Sequence, residues 1–377
     1  MEGTKTLLDY FADLPDSRVV GRTSHDVLDI LVIALCGVMS GAEGWDDIED
    51  WARERVDWLK QFLTLRNGIP GHDTIRRVFE MIRPEELESR FEAWVGSICP
   101  SLIGKVLAID GKAVRGSGRS GHRALHMVSV FLAEHGMTLA QRVCPEKSNE
   151  ITAIKALLPT LALQGTTVTI DAMGCQTEIA AAIIEGGGDY VLAVKDNQPN
   201  LAKATRDFFS ILNQPGYSNR PISFKETLDK GHGRVEIRRC TAVDTLDWLE
   251  LLELKAPWTG LKSVARIESV RYIGDEQTTE VRYFISSLPA DSARILHAVR
   301  SHWAIENSLH WCLDVTFGDD ASKIHIQNAA HNFALLRRIA LNVFRSDSSR
   351  KLSLPKKLKL AAWNSSFLAS VLNLQPI

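Results

Sequence analysis

The chain has 377 residues, a formal net charge of -2, 45% hydrophobic residues and 24% charged residues. That length supports two or three domains, and near-neutrality requires any nucleic-acid contact to come from local basic patches. The six cysteines are scattered without a CxxC pair, which argues against a disulfide scaffold or a zinc knuckle.

The N-terminal MEGTKTLLDYF lacks a signal-peptide layout. The longest apolar stretch, Val27 to Met39, contains Asp29 and is too short to span a bilayer. The expected location is cytoplasmic. Residues 1–100 read as a helical N-terminal domain: Val27–Ser40, Trp45–Leu63 with Trp51 and Trp58 on one face, and a helix opening at Ile69-Pro-Gly-His-Asp. His72 or Asp73 is the expected cap of that third helix, and Arg76 and Arg77 in its first turns are candidate DNA contacts.

After Pro100 the period changes. Val106 to Ile109 is an apolar run fitting a doubly buried strand, and it ends on Asp110. Leu125–Ala133 and Met137–Val143 form a hairpin across Glu134-His135-Gly136. Ser148–Leu163 is a helix with Ser148 as N-cap and Glu150 in its first turn. Val168–Asp171 is a strand that again ends on Asp, Gln176–Glu185 a helix, Tyr190–Val194 a fifth strand, and another helix follows Pro199.

This order predicts a mixed five-stranded sheet with helices on both faces. Strands one, three, four and five share a direction, so their ends collect at one edge, where ligands bind in open α/β sheets. The loops there bring Lys112, Arg115, Arg119, Lys147 and Lys195 beside Asp110 and Asp171. Residues 221–286 alternate polar and apolar and read as a β-rich insertion, with Arg234, Arg238 and Arg239 as a basic face. In the last long helix, Asp291 to about Leu313, the positions Val299, Trp303, Glu306, His310 and Leu313 form one stripe, so Glu306 is expected to point inward. A buried carboxylate needs a partner, and a metal shared with Asp110 and Asp171 would supply it. Asp314, Asp319 and Asp320 are alternative third acids, and the four-residue spacing of His302, Glu306 and His310 is an alternative zinc set that lacks HExxH. Arg345 to Lys359 carries six basic residues and one acid and reads as a solvated or DNA-facing tail.

The segments AIDGKAVRGS, EKSNEITAI, TIDAMGCQTEIA, DYVLAVKDNQP and HWAIENSLHWCLDVTF resemble those of the H-repeat-associated DDE transposases of bacterial insertion sequences, over nearly the whole chain. The resemblance implies an RNase H-like catalytic domain over residues 101–345 with the β-insertion at 221–286, and a basic C-terminal tail at 346–377. It implies that Asp110, Asp171 and Glu306 hold two Mg²⁺ or Mn²⁺ ions, with Asp110 bridging them, for DNA strand cleavage and strand transfer. Expected partners are double-stranded DNA, as element ends and target, and a second copy in a homodimer on DNA, in a nucleoid-associated cytoplasmic setting. Candidate DNA contacts are Lys112, Arg115, Lys147, Lys195, Arg300, His302, Arg76 and Arg77. The wider group places Tyr seven before the Glu, Arg four before and Lys seven after; here those positions are Val299, His302 and Leu313, with Arg300 a candidate substitute for the Arg. The alternatives are a degenerate DNA-binding relic and another RNase H-like nuclease.

Overall fold

The computed structural model describes residues 5–18, 23–99, 101–118, 124–144, 150–212, 221–231, 233–244 and 258–376. Arg119, Lys147 and Ser148 lie outside them. The five expected strands are β1 (Val106–Val114), β2 (Leu125–Leu132), β3 (Met137–Cys144), β4 (Thr167–Ile170) and β5 (Asp189–Val194). They stand in the order β3-β2-β1-β4-β5, with β1, β4 and β5 parallel and β2 antiparallel to its neighbours. This is the RNase H-like mixed sheet. Val106 to Ile109 are at most 3% exposed, as a strand covered on both faces requires.

Two expectations change. β1 does not stop at Asp110 but runs on to Val114, because β2 continues to pair with it through Val114↔Leu125. On its other side, pairing with β4 ends at Ile109↔Ile170. Asp110 therefore sits where the parallel neighbour drops away, level with Asp171. The insertion, β6 (Ile222–Gly231), β7 (Arg234–Asp244), β8 (Ser263–Ile273) and β9 (Glu276–Ser286), also joins the same sheet. β9 pairs antiparallel with β5 from Val191↔Ser286 to Val194↔Tyr283, extending the sheet to nine strands.

The N-terminal region holds α1 (Leu7–Phe11), α2 (Val27–Met39), α3 (Trp45–Arg53), α4 (Val56–Leu59), α5 (His72–Met81) and α6 (Pro84–Ile98). The helix expected over Trp45–Leu63 breaks after Arg53, yet Trp51 and Trp58 still meet edge-to-face at 6.2 Å. Gly71, not His72 or Asp73, is the N-cap of α5. Glu49 of α3 supplies the missing acceptor, taking the His72 N–H at 2.5 Å.

Beyond β3, the crossover helices are α7 (Glu150–Leu157), α8 (Thr177–Glu185) and α9 (Pro199–Ile211). The late helix is α10 (Ser292–Ala304), capped by Asp291, which accepts from the N–H groups of Ala293 and Arg294. It runs through a π-helical turn over Ile305–His310 into α11 (Trp311–Phe317). Ile295, Leu296 and Val299 of α10 pack with Val106, Val191, Ala265 and Phe284 on one face of the sheet. Side chains alternate along a strand, so Asp110 and Lys112 share that face with Val106.

α12 (Gln327–Ser346) packs against α2, α5 and α6. The tail is not a solvated appendage. It forms α13 (Leu354–Trp363) and α14 (Ser365–Leu372), which bury Leu354, Ala361, Phe367, Leu368 and Leu372. Lys357 turns inward, donating to the Phe344 carbonyl at 2.7 Å and pairing with Asp347 at 2.8 Å.

Candidate active site

Asp110, Asp171 and Glu306 line one cleft of about 200 Å³, together with Thr169, Lys195, Arg282, His302 and Trp303. Each acid arrives by a different local device. Asp110 rides on β1 beside the edge of β4. Asp171 follows β4 directly and caps the next turn, its Oδ1 accepting from the N–H groups of Met173 at 3.0 Å and Gly174 at 3.4 Å. That turn needs glycine at 174, since a Cβ there would lie 2.2 Å from Ile170 Cγ2. The loop after β5 braces it: Asn197 Nδ2 donates to the Ala172 carbonyl at 2.5 Å and Gln198 Nε2 to the Cys175 carbonyl at 2.9 Å. The AsnGlnPro segment thereby holds Lys195 and Asp171 at one edge.

Glu306 departs from the sequence-based expectation. The stripe is not uniformly core-facing: Leu313 is fully buried, but Trp303 is 43% exposed and the Glu306 side chain 53% exposed. The stripe leaves the core at Trp303, before the π-helical turn over Ile305–His310, and returns to it at His310 and Leu313. Glu306 faces the acid cleft from a solvent-open position rather than from the core.

Behind Asp110, Gly111 faces the opposite side of β1. A Cβ there would stand 2.6 Å from Glu150 Oε1 and 2.7 Å from His126 Nε2. These two side chains are buried and hydrogen-bonded to each other. Asp110 thus has negative charge on several sides, with Glu150 buried behind it and Asp171 and Glu306 exposed in front. Burial first, then the charges of Glu306, Asp171 and Glu150, push its carboxyl up to about 7. The His310 imidazole beside Glu306 holds that carboxyl below its usual range. Burial pushes His302 down, and its Nδ1 stands 3.3 Å from Thr169 Oγ1. Among the described residues, no lysine or arginine pairs with any of the three acids.

The other candidates are distributed more widely. Lys112 is 8% exposed and is held by Asp314 at 2.7 Å, Asp320 at 2.8 Å and Asp319 at 3.6 Å. Its ammonium is already engaged, and the three alternative third acids sit around it rather than in the cleft. Arg115 is exposed and pairs with Asp320 at 3.6 Å. Arg76 is held by Asp73 and Glu80, and Arg77 is exposed. Val299 and Leu313 are buried, so no polar group replaces the wider group's Tyr and Lys at those positions. His302 does line the cleft. Arg300 points away from it into an adjoining groove and pairs with Asp229 at 3.0 Å.

That groove, about 490 Å³, is lined by Arg234, Arg238, Arg271, Arg282 and Arg300, and it shares Arg282 and Trp303 with the acid cleft. The guanidinium of Arg282 stacks 4.5 Å from the Trp303 ring. Arg282 and Trp303 were not legible as site residues, since only the β5–β9 pairing brings Arg282 to the cleft.

Two family models cover most of the chain: "DDE_Tnp_1-associated" over residues 8–95 and "Transposase DDE domain" over residues 102–343. The chain belongs to the H repeat-associated DDE transposase family. It is 42% identical over 376 residues to the "H repeat-associated putative transposase YhhI" of Escherichia coli (strain K12), covering 98% of each chain. It is 39% identical over 373 residues to the "Putative transposase YncI" of Escherichia coli O157:H7, covering 98% of this chain and 94% of that one. A solved piggyBac transposase synaptic complex with hairpin DNA aligns at a TM-score of 0.42 and 11% identity, over 98% of this chain and 77% of that one. Among the described residues, no helix is long and apolar enough to cross a membrane.

Proposed function

We propose that this transposase cleaves and rejoins DNA strands at Asp110, Asp171 and Glu306, with Mg²⁺ or Mn²⁺ held by these three carboxylates. The observation that carries the reading is their convergence on one cleft in which, among the described residues, no lysine or arginine is ion-paired to any of them, although Lys195 and Arg282 line its wall. A set of hard oxygen donors, one of them pushed up to about 7 by burial and like charge, fits a divalent cation. When bound there, such ions supply Lewis-acid activation of the attacking oxygen and charge stabilisation of the leaving one.

The chain's own residues do the rest. In hydrolysis, a water oxygen forms a bond to phosphorus and the 3′ oxygen leaves with its proton restored. In strand transfer, that 3′ hydroxyl attacks a second phosphodiester and displaces another 3′ oxygen. Lys195 and Arg282 border the cleft and meet phosphate oxygens. His302, kept neutral by burial, holds its ring against Thr169 without adding charge beside the acids. The adjoining arginine groove extends the path for the DNA backbone along β7–β9. The same reading has two copies acting on DNA as a homodimer, in the nucleoid.

The test is Asp171→Asn. Asparagine retains the Oδ1 acceptor for the Met173 and Gly174 N–H groups, so the turn survives while a charged ligand is lost. Mn²⁺-dependent cleavage of DNA carrying the ends of the element should fall by roughly 100-fold or more, the loss expected for several kcal/mol of transition-state stabilisation. The melting curve should barely move. Cleavage near the unmutated rate would overturn the assignment.

A further inference from the structure

We propose that His310 is a protein ligand of the divalent ion held between Asp110 and Glu306, making this a mixed oxygen and nitrogen site that prefers Mn²⁺ to Mg²⁺. The inference rests on the metal-binding reading above and extends it to a residue outside the three carboxylates.

His310 closes the π turn and is 7% exposed. Its Nδ1 stands 3.7 Å from Asp110 Oδ2 and 3.9 Å from Glu306 Oε2. Both separations exceed a hydrogen bond. Its Nε2 is buried with no hydrogen-bond partner. A buried imidazole in this state forgoes interactions that would offset its desolvation, and such a group needs an explanation.

An ion between the three side chains would engage Nδ1, the ring nitrogen that faces both carboxylates without a hydrogen bond to either, and leave Nε2 as it is. A donor atom from each of Asp110, Glu306 and His310 lies within 4.8 Å of the other two. Ligands about 2.1 Å from one ion stand about 3 Å apart at right angles and about 4.2 Å apart when opposed. The two His310 separations fall inside that window. Asp171 is not in this group, and neither is His302, whose Nδ1 faces Thr169. The zinc set His302–Glu306–His310 therefore does not assemble; Asp110 takes the place of His302. Mg²⁺ keeps to oxygen donors and dehydrates reluctantly, whereas the softer Mn²⁺ accepts one imidazole among carboxylates.

The experiment uses the untagged full chain without DNA, freed of metal and titrated with Mn²⁺ or Mg²⁺. Pulsed electron paramagnetic resonance on the Mn²⁺ form should show coupling to a directly bound ¹⁴N. His310→Gln, which keeps bulk and offers an oxygen, should lose that coupling and bind Mn²⁺ about tenfold more weakly, with Mg²⁺ affinity unchanged or improved. His310→Ala should lose the coupling too. Mn²⁺ bound without nitrogen coupling, or coupling that survives in His310→Gln, would overturn the role of His310 and leave the carboxylate site standing. An unmutated protein that binds neither ion would overturn the metal reading itself.

Discussion

Two groups of three carboxylates lie near one another on the α10–α11 side of β1, and the protein treats them in opposite ways. Asp314, Asp319 and Asp320 surround the buried ammonium of Lys112. Arg337, 2% exposed, adds a second cation to Asp319 at 3.1 Å. Asp110, Asp171 and Glu306 gather two residues back along the same strand, with no lysine or arginine bound to them among the described residues. A buried charge is tolerable when paired and hydrogen-bonded, and expensive when it is not. The first group is therefore a structural clamp joining β1 to the segment after α11 and to α12. The second is an uncompensated anionic site, which is what a cation-binding centre must be before its ion arrives. Counting acids in a sequence cannot separate the two; finding their cations does.

The largest expected effect comes from breaking the clamp. Lys112→Met keeps much of the volume but takes from Asp314 and Asp320 their nearest cation and, among the described residues, leaves the fully buried Asp319 with Arg337 alone. Removing one partner of a buried ion pair costs about 3–5 kcal/mol, a fall in melting temperature of about 5 °C for a chain of this length. Differential scanning calorimetry should show that loss with and without divalent ion. A mutant melting within a degree or two of the parent would mean that the cluster is not a clamp.

A smaller effect follows from the pH dependence of the acid site. The folded Asp110 carboxyl sits at about 7, above its unfolded value of about 4. The folded state therefore binds that proton more tightly, so the group favours folding most at acid pH. The advantage declines as pH rises toward 7 and levels off above it. Asp110→Asn removes this dependence. In chelator, the mutant's stability relative to the parent should grow by about 2 kcal/mol between pH 5 and pH 8, taking about 1.4 kcal/mol per pKa unit with a discount for partial exposure. A difference that stays flat across that range would show that Asp110 is not crowded by its neighbours.

The legible parts were those carried by local pattern. The strands β1, β4 and β5 announce themselves as apolar runs, and Asp110 and Asp171 follow from two such runs ending alike. Parallel pairing then sets them level, which the order of elements implies. What could not be read depends on contacts across long stretches of chain. Lys112 meets acids about 200 residues away, so it looked like a free rim lysine. The insertion joins the sheet through β5 and β9, which brings Arg282 to the cleft. Trp303 and Glu306 open onto the cleft although Val299 and Leu313 of the same stripe are buried, which a 3.6-residue period does not report. The basic tail folded back because its leucines and phenylalanine, not its charges, decided where it went.

The most direct test of the contrast is the thermal melt of the parent and of Asp110→Asn at pH 8, each with chelator and with saturating Mn²⁺. An ion that binds only the folded arrangement raises the melting temperature by mass action. The parent should therefore gain several degrees with Mn²⁺. Asp110→Asn should melt higher than the parent in chelator, because like charge has been relieved, and gain little from the ion. A parent unmoved by Mn²⁺, or an Asp110→Asn protein that melts lower in chelator and keeps the full Mn²⁺ gain, would contradict an uncompensated cation site at Asp110.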